Sequence, residues 1–189
     1  MRIISGIYKG RTIKAPDSKY TRPTTDRVRE TLFNILNNEI DFEDIRVLDI
    51  YAGSGALGLE SLSRGAAEAH FIEKNFPVYK ILQSNIDNIG ASEKSRIFRM
   101  EAIKFSSMSG HLLYDLILAD PPFFKDDIHG VVKNILSKGF LSPEGILVVE
   151  RSIQTKQKDT ESFATEPFKR IGDTLLYRFT NNTINNTEQ

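Results

Sequence analysis

Arg46-Val-Leu-Asp-Ile-Tyr-Ala-Gly-Ser-Gly-Ala-Leu-Gly-Leu-Glu60 is the stretch from which the rest of the chain can be read. Ile45, Val47, Leu48 and Ile50 form a nearly unbroken apolar run, which predicts a short buried strand. The run gives way to the small residues Ala52, Gly53, Ser54 and Gly55, and from Ala56 to Leu62 the apolar spacing is helical. Strand, glycine turn and helix together open a nucleotide-binding crossover unit. Glycine lets a ligand approach the backbone amides, and the following helix N-terminus points unpaired N–H groups into the turn. A tight strand-to-helix turn with no ligand is the plain alternative.

Spacing alone leaves the ligand open. Gly53, Gly55 and Gly58 spell G-x-G-x-x-G, and Glu73 stands twenty residues after Gly53, where a dinucleotide fold places its ribose-binding acid. Asp49 points elsewhere, because a carboxylate four residues before the first glycine is unusual at the apolar end of a dinucleotide-binding strand. It resembles the D-x-x-x-G-x-G motif of S-adenosylmethionine-dependent methyltransferases, whose acid faces the methionine part of a cationic cofactor. The methyltransferase reading leads, and a nicotinamide dehydrogenase is the distant alternative.

Composition narrows the class. A chain of 189 residues favours one domain with a full sheet and covering helices. With no cysteine there is neither a disulfide framework nor a thiolate metal site. His70, His111 and His129 lack ligand spacing, so surface or boundary positions and no metal are expected. No apolar signal region and no long apolar run are seen, and a cytoplasmic protein is expected. Net charge is zero but uneven: residues 1–30 hold eight Lys/Arg against three acids, a local +5 that leaves −5 elsewhere. That asymmetry suggests a basic arm for nucleic acid on a mildly acidic domain, against the alternative of an unevenly charged, solvated surface.

Residues 2–14 read as a small β-hairpin or extended arm, and 17–25 as an irregular connection. From Asp26 to Asn38, Val28, Leu32, Ile35 and Leu36 share one helical face, leaving Arg27 and Arg29 off it to meet a ligand. Strands are then expected at 69–73, 96–100, 114–119 and 145–150, with helices at 78–89 and 128–136. Alternating strands and helices predict a mostly parallel, seven-stranded sheet with helices on both faces. Phe168 to Ile171 and Thr174 to Phe179 are separated only by Gly172-Asp173, which can close an antiparallel hairpin but not a parallel crossover. That terminal hairpin is the methyltransferase variant of the Rossmann-like architecture. The polar segment 154–166 reads as a flexible loop. The division expected is a basic arm over 1–24, a methyltransferase domain over 25–180 and a disordered tail over 181–189.

A second motif, Asp120-Pro121-Pro122-Phe123, sits where the fourth strand stops. Methyl transfer to an exocyclic amine needs the nitrogen lone pair freed from its ring and aimed at the methyl. The Asp120 carboxylate and a backbone carbonyl, that of Pro121, offer two acceptors for the amine hydrogens. The successive prolines stiffen the segment so that the acceptors are placed beforehand. Phe123 would stack on the target base. With D-x-x-x-G-x-G about seventy residues earlier, the motif resembles the amino-methyltransferases with (D/N)-P-P-(F/Y/W), which modify N6 of adenine, N4 of cytosine or N2 of guanine. A DNA adenine-N6 or cytosine-N4 methyltransferase is therefore the enzyme alternative, and a nucleic-acid-binding module without turnover the non-enzyme one.

The runs at 2–11, 22–36, 48–66 and 120–123 are similar to those of the RsmD family, and the second is the most family-specific. These bacterial enzymes methylate N2 of a 16S ribosomal RNA guanine, conventionally nucleotide 966, on assembled or nearly assembled small subunits. The resemblance implies S-adenosylmethionine as cofactor. It places Asp49, Ala52, Gly53, Ser54 and Gly55 at the cofactor turn, Glu73 at the ribose, Lys74 among the cofactor contacts, and Glu101-Ala102 beside the adenine. Asp120 to Phe123 would hold the guanine amine, and Arg2, Lys9, Arg11, Arg22, Arg27 and Arg29 would meet the RNA. Tyr51 replaces a more usual Phe, a change expected to be harmless, and Glu101 stands where Asp is common.

Overall fold

Period-two alternation in the strands decides which face each side chain serves. In β1 (Arg46–Ile50), Val47 packs to one side of the sheet while Leu48 and Ile50 pack to the other. The same division runs through β2 (Glu68–Ile72), β4 (Tyr114–Ala119) and β5 (Leu141–Ser152), so the sheet carries an apolar core on each face. The structure, a computed structural model, describes residues 1–16, 26–122 and 126–181.

With β3 (Ser95–Phe98), β6 (Lys169–Ile171) and β7 (Thr174–Phe179), the strands line up as β3-β2-β1-β4-β5-β7-β6. The first five pair in parallel, and β7 runs antiparallel to both of its neighbours. This is the expected Rossmann-like class I methyltransferase sheet with its terminal hairpin. One face is covered by α1 (Asp26–Leu36), α2 (Ala56–Ser63) and α3 (Phe76–Ile89). The other is covered by α4 (Ala102–Ser106), α5 (Asp127–Ser137) and α6 (Lys156–Phe163). Among the described residues no helix is long and apolar enough to cross a membrane.

Residues 1–16 are built onto the first core. Arg2 and Thr12 form an antiparallel bridge, and Ile3 and Ile13 are buried against the α1–α3 layer. Every residue of α2 is buried, so its polar groups must find partners within the protein. Glu60 accepts the Ile4 N–H at 2.7 Å, the Ser5 N–H at 3.1 Å and Arg64 Nε at 2.9 Å. Ser63 accepts Tyr8 N–H on its hydroxyl at 2.9 Å and Ile7 N–H on its carbonyl at 2.7 Å, and its hydroxyl donates to the Ser5 carbonyl. The turn passes so close that a Cβ on Gly6 would stand 1.6 Å from the Ser63 carbonyl oxygen.

Three expectations need correction. Segment 154–166 is not a loop, since residues 156–163 form α6 around a buried ion cluster. Asp159 receives Arg151 Nε at 2.8 Å and the Thr155 hydroxyl at 2.6 Å, and lies 2.8 Å from His129 Nε2. Phe163 packs edge-on against Tyr177 and Phe179. One anchored acid and one aromatic are invisible to a reading based on average polarity. His70 is not at a boundary but fully buried, because both ring nitrogens have partners: the Tyr114 hydroxyl at 2.9 Å and Glu68 at 2.6 Å. Asn181, assigned to the tail, is anchored on the carbonyls of Ser142 and Pro143 at 2.8 and 3.2 Å, while 182–189 lie outside the described residues.

Two outcomes are expected. Burial by itself pushes the Asp159 carboxyl up, but hydrogen bonds from Arg151, Thr155 and His129 outweigh it and leave the carboxyl below its usual range. The resulting stability is present above the unfolded aspartate pKa of about 3.9 and is lost as pH falls through the folded value. Asp159→Asn should destabilise by about 3–5 kcal/mol at neutral pH by leaving Arg151 buried without its counter-charge, and urea unfolding would measure it. Gly6→Ala should lower the thermal midpoint by roughly 2–12 °C. Gly10→Ala, at the same φ of 81° but with nothing within 4 Å of the added Cβ, should cost about 1 kcal/mol. Calorimetry of the pair separates the clash from the backbone strain.

Candidate active site

β1 and β4 are neighbours and end level, with Ile50 opposite Ala119. Asp49 and Asp120 therefore come from adjacent carboxyl ends, at the edge where open α/β sheets gather ligands. Alternation puts Asp49 on the face of Val47, under α2, where it is 2% exposed and its Oδ2 accepts the Gly58 N–H at 2.9 Å. α2 can lie this low only because residue 58 has no side chain: a Cβ there would stand 2.4 Å from the Phe71 ring and 3.2 Å from Asp49 Cβ. The third glycine of the pattern thus sets helix–sheet distance.

Burial raises the Asp49 pKa well above the ordinary carboxylate range. The Gly58 N–H pulls it back, and the charges of Asp120 and Glu73 push it up further. A desolvated carboxylate with two more beside it is an arrangement that a cation relieves.

The turn itself is tightly bonded. Ala52 N–H donates to the Ile72 carbonyl at 3.0 Å and Gly55 N–H to the Ala52 carbonyl at 2.7 Å. Glu73, just past β2, accepts the Gly53 N–H at 3.2 Å on one oxygen and the Asn75 N–H at 2.7 Å on the other. Lys74 Nζ is 3.9 Å from Glu101, the residue that precedes α4 and Ala102. The expected cofactor residues Asp49, Ala52, Gly53, Ser54, Gly55, Glu73, Lys74, Glu101 and Ala102 therefore lie along one sheet edge. Asp120 joins them, partly exposed, followed by buried Pro121 and exposed Pro122, while Phe123 lies outside the described residues.

A family model described as conserved hypothetical protein 95 matches residues 1–180. The chain belongs to that family, the RsmD family. It is 40% identical over 154 residues to the ribosomal RNA small subunit methyltransferase D of Escherichia coli K12, covering 82% of this chain and 76% of that one. The solved structure of the E. coli putative methyltransferase yhhF superposes with a TM-score of 0.77 at 34% identity, covering 94% of this chain and 97% of that chain. That of a hypothetical protein of Thermus thermophilus does so with a TM-score of 0.76 at 26% identity, covering 94% and 98%.

Within this RsmD-family chain, sequence reasoning missed what two residues hold together. Tyr51, at φ 63°, holds the left-handed region that side chains disfavour, and its hydroxyl donates to Asp127 Oδ1 at 3.0 Å. Burial, then the Asp127 charge, raise its pKa, so it remains a donor. The Tyr51 hydroxyl thus ties the start of the glycine turn to the first residue of α5. Asn85, fully buried in α3, donates to the Ser54 and Lys14 carbonyls, each at 2.9 Å, and accepts the Lys14 N–H at 2.8 Å. The only advance signal was an amide on an otherwise apolar helical face.

The expected RNA contacts divide. Arg2, Lys9, Arg11 and Arg27 are exposed, although Arg11 already donates to the Ile89 carbonyl at 2.6 Å, and Arg22 lies outside the described residues. Arg29 is not free to meet a ligand. It is fully buried in α1, bonded to the Arg2 carbonyl and, at 3.0 Å, to Asp26, and desolvation lowers its pKa despite the acids nearby. The buried stripe of α1 is Val28, Arg29, Leu32, Phe33 and Leu36, one residue wider than its apolar members alone indicate.

The raised Asp49 pKa has a testable sign. Its contribution to stability is complete below the unfolded pKa and lost as pH rises through the folded one, so the charged form is a burden at neutral pH. Asp49→Asn should raise the ligand-free thermal midpoint by roughly 2–4 °C per kcal/mol relieved, and weaken binding of a cationic ligand. A lower midpoint in calorimetry would mean that Asp49 mainly holds Gly58 in place.

Proposed function

We propose that this chain is an S-adenosylmethionine-dependent methyltransferase that modifies N2 of a guanine in 16S ribosomal RNA, on small subunits or their late assembly intermediates in the cytoplasm. The observation that carries the reading is the level ending of β1 and β4, which sets the Asp49 turn beside Asp120-Pro121-Pro122. The E. coli relative named ribosomal RNA small subunit methyltransferase D supports the choice of polymer.

The site suits a cationic cofactor on its own chemistry. Asp49, Glu73 and Asp120 are an acid excess in which Asp49 is desolvated, and Gly53 and Gly55 adopt positive φ at 56° and 81°. S-adenosylmethionine supplies an electrophilic methyl on a sulfonium. Asp49 and the Ala52–Gly55 turn hold the methionine part, Glu73 and Lys74 the ribose, and Glu101-Ala102 border the adenine. Asp120 accepts one hydrogen of the guanine amine and the Pro121 carbonyl the other, freeing the lone pair to face the methyl. As the new N–C bond forms the methyl–sulfur bond would break, leaving a neutral thioether, and Asp120 would receive the proton that the amine gives up. Phe123 stacks on the base, and Arg2, Lys9, Arg11, Arg22 and Arg27 meet the RNA. Tyr51 and Asp127 keep the two halves of the site in register.

Asp120→Ala should lower transfer of labelled methyl to undermethylated small subunits by roughly 10²–10⁴-fold, with cofactor affinity changed only a few-fold. The label should appear as N2-methylguanosine. Label confined to DNA would keep the site chemistry and overturn the polymer; full activity in Asp120→Ala would overturn the catalytic assignment.

A further inference from the structure

Just past the ribose-facing acid, the chain puts a phenyl ring into solvent. Phe76, the first residue of α3, is 49% exposed, and it is the one exposed phenylalanine among the described residues. It is not a stray apolar residue. The Lys80 ammonium lies 4.7 Å from the ring centroid and the Arg99 guanidinium carbon 5.4 Å. The Tyr79 ring runs nearly parallel, at 11° and a 6.2 Å centroid separation. The cations come from two elements: Lys80 from one turn along α3, Arg99 from just past the end of β3.

The surroundings are basic on a chain of zero net charge. Lys74 and Lys104 flank the ring's edge of the sheet, 50% and 72% exposed. The acid facing them is Glu101, at 3.9 and 3.7 Å, while Glu73 turns inward to Gly53 and Asn75. An exposed ring with flexible cations resting over it offers one ligand two kinds of contact at once. The ammonium and guanidinium swing off the ring to the adjoining phosphates, and the face they uncover takes a base. A purely apolar partner has no use for the cations, and an acidic peptide has no use for the flat ring.

Position agrees with chemistry. β2 and β3 lie two and three strands from β4 on the same carboxyl edge, roughly 10–14 Å away at about 4.8 Å per strand. Phe76 thus stands across the cofactor turn from Asp120, outside the N-terminal segment that carries the expected RNA contacts. We propose that Phe76, with Lys80 and Arg99, is a stacking platform for an unpaired nucleotide flanking the methylated guanine. The proposal rests on the RNA reading given above.

The test compares wild type, Phe76→Ala, Phe76→Leu, Phe76→Trp and the double variant Lys80→Glu/Arg99→Glu. The probes are a labelled single-stranded fragment of small-subunit RNA, intact undermethylated subunits and S-adenosylmethionine. Phe76→Ala and Phe76→Leu should weaken RNA binding roughly 5- to 150-fold. Phe76→Trp should keep it, and the double variant should lower it and flatten its salt dependence. Cofactor affinity and thermal midpoint should stay at wild-type values in the Phe76 variants. Wild-type RNA affinity in Phe76→Ala overturns the platform. Lost cofactor affinity overturns it too, by making the ring a wall of the cofactor site. Intact RNA-fragment binding with lost subunit binding moves the contact to a ribosomal protein, again overturning it. Failure of the wild type itself to bind or methylate the RNA instead overturns the RNA reading beneath it, and the platform with it.

Discussion

Helix α2 lies closer to the sheet than any side chain at residue 58 permits, and the site follows from that one contact. With the Phe71 ring against bare backbone, the helix settles directly over β1 and its Gly58 N–H reaches Asp49. The acid is thereby shut away from water and oriented, and the charges nearest it are those of two further acids. Moving the helix outward would rehydrate Asp49 and swing the Ala52–Gly55 turn away from Glu73. A packing constraint and an electrostatic property are here the same feature.

Burial of α2 on its other side creates a second obligation. Glu60 and Ser63 face away from the sheet, where no strand can satisfy them, and the backbone of residues 4–8 does so instead. The N-terminal segment is for this reason an outer layer of the core, with its basic side chains on the solvent face. Asn85 extends the arrangement by bonding that layer and the Ala52–Gly55 turn at once, through Lys14 and Ser54. The basic N-terminal segment and the glycine turn are thus held by one buried amide, so a shift in one is felt by the other.

Much of the architecture was legible because strands buried on both faces are written as apolar runs. The β1 and β4 runs and the two-residue Gly172-Asp173 link specified parallel and antiparallel pairing with little ambiguity. The Asp49 and Asp120 motifs could be read because each stands where such a run ends. What stayed hidden shares one physical cause: a polar group buried by partners distant in sequence. Arg29 lies inside a helix face that counting apolar residues makes too narrow, and its partner is a carbonyl twenty-seven positions away. Asp159 anchors a helix in a segment whose average polarity spells loop. Tyr51 differs from Phe by one oxygen, and only the fold reveals that the oxygen has Asp127 to reach.

The start of the chain has a practical consequence. The Met1 sulfur lies 3.7 Å from the Ser54 hydroxyl, and the Met1 carbonyl accepts the Ile13 N–H at 3.1 Å. Anything joined ahead of Met1, a purification tag included, therefore emerges beside the Ala52–Gly55 turn. Asn181, the last described residue, is held on the carbonyls of Ser142 and Pro143 near the start of β5, at the opposite rim of the sheet. A fluorophore or surface tether attached at Asn181 itself starts from that opposite rim and not from beside the turn.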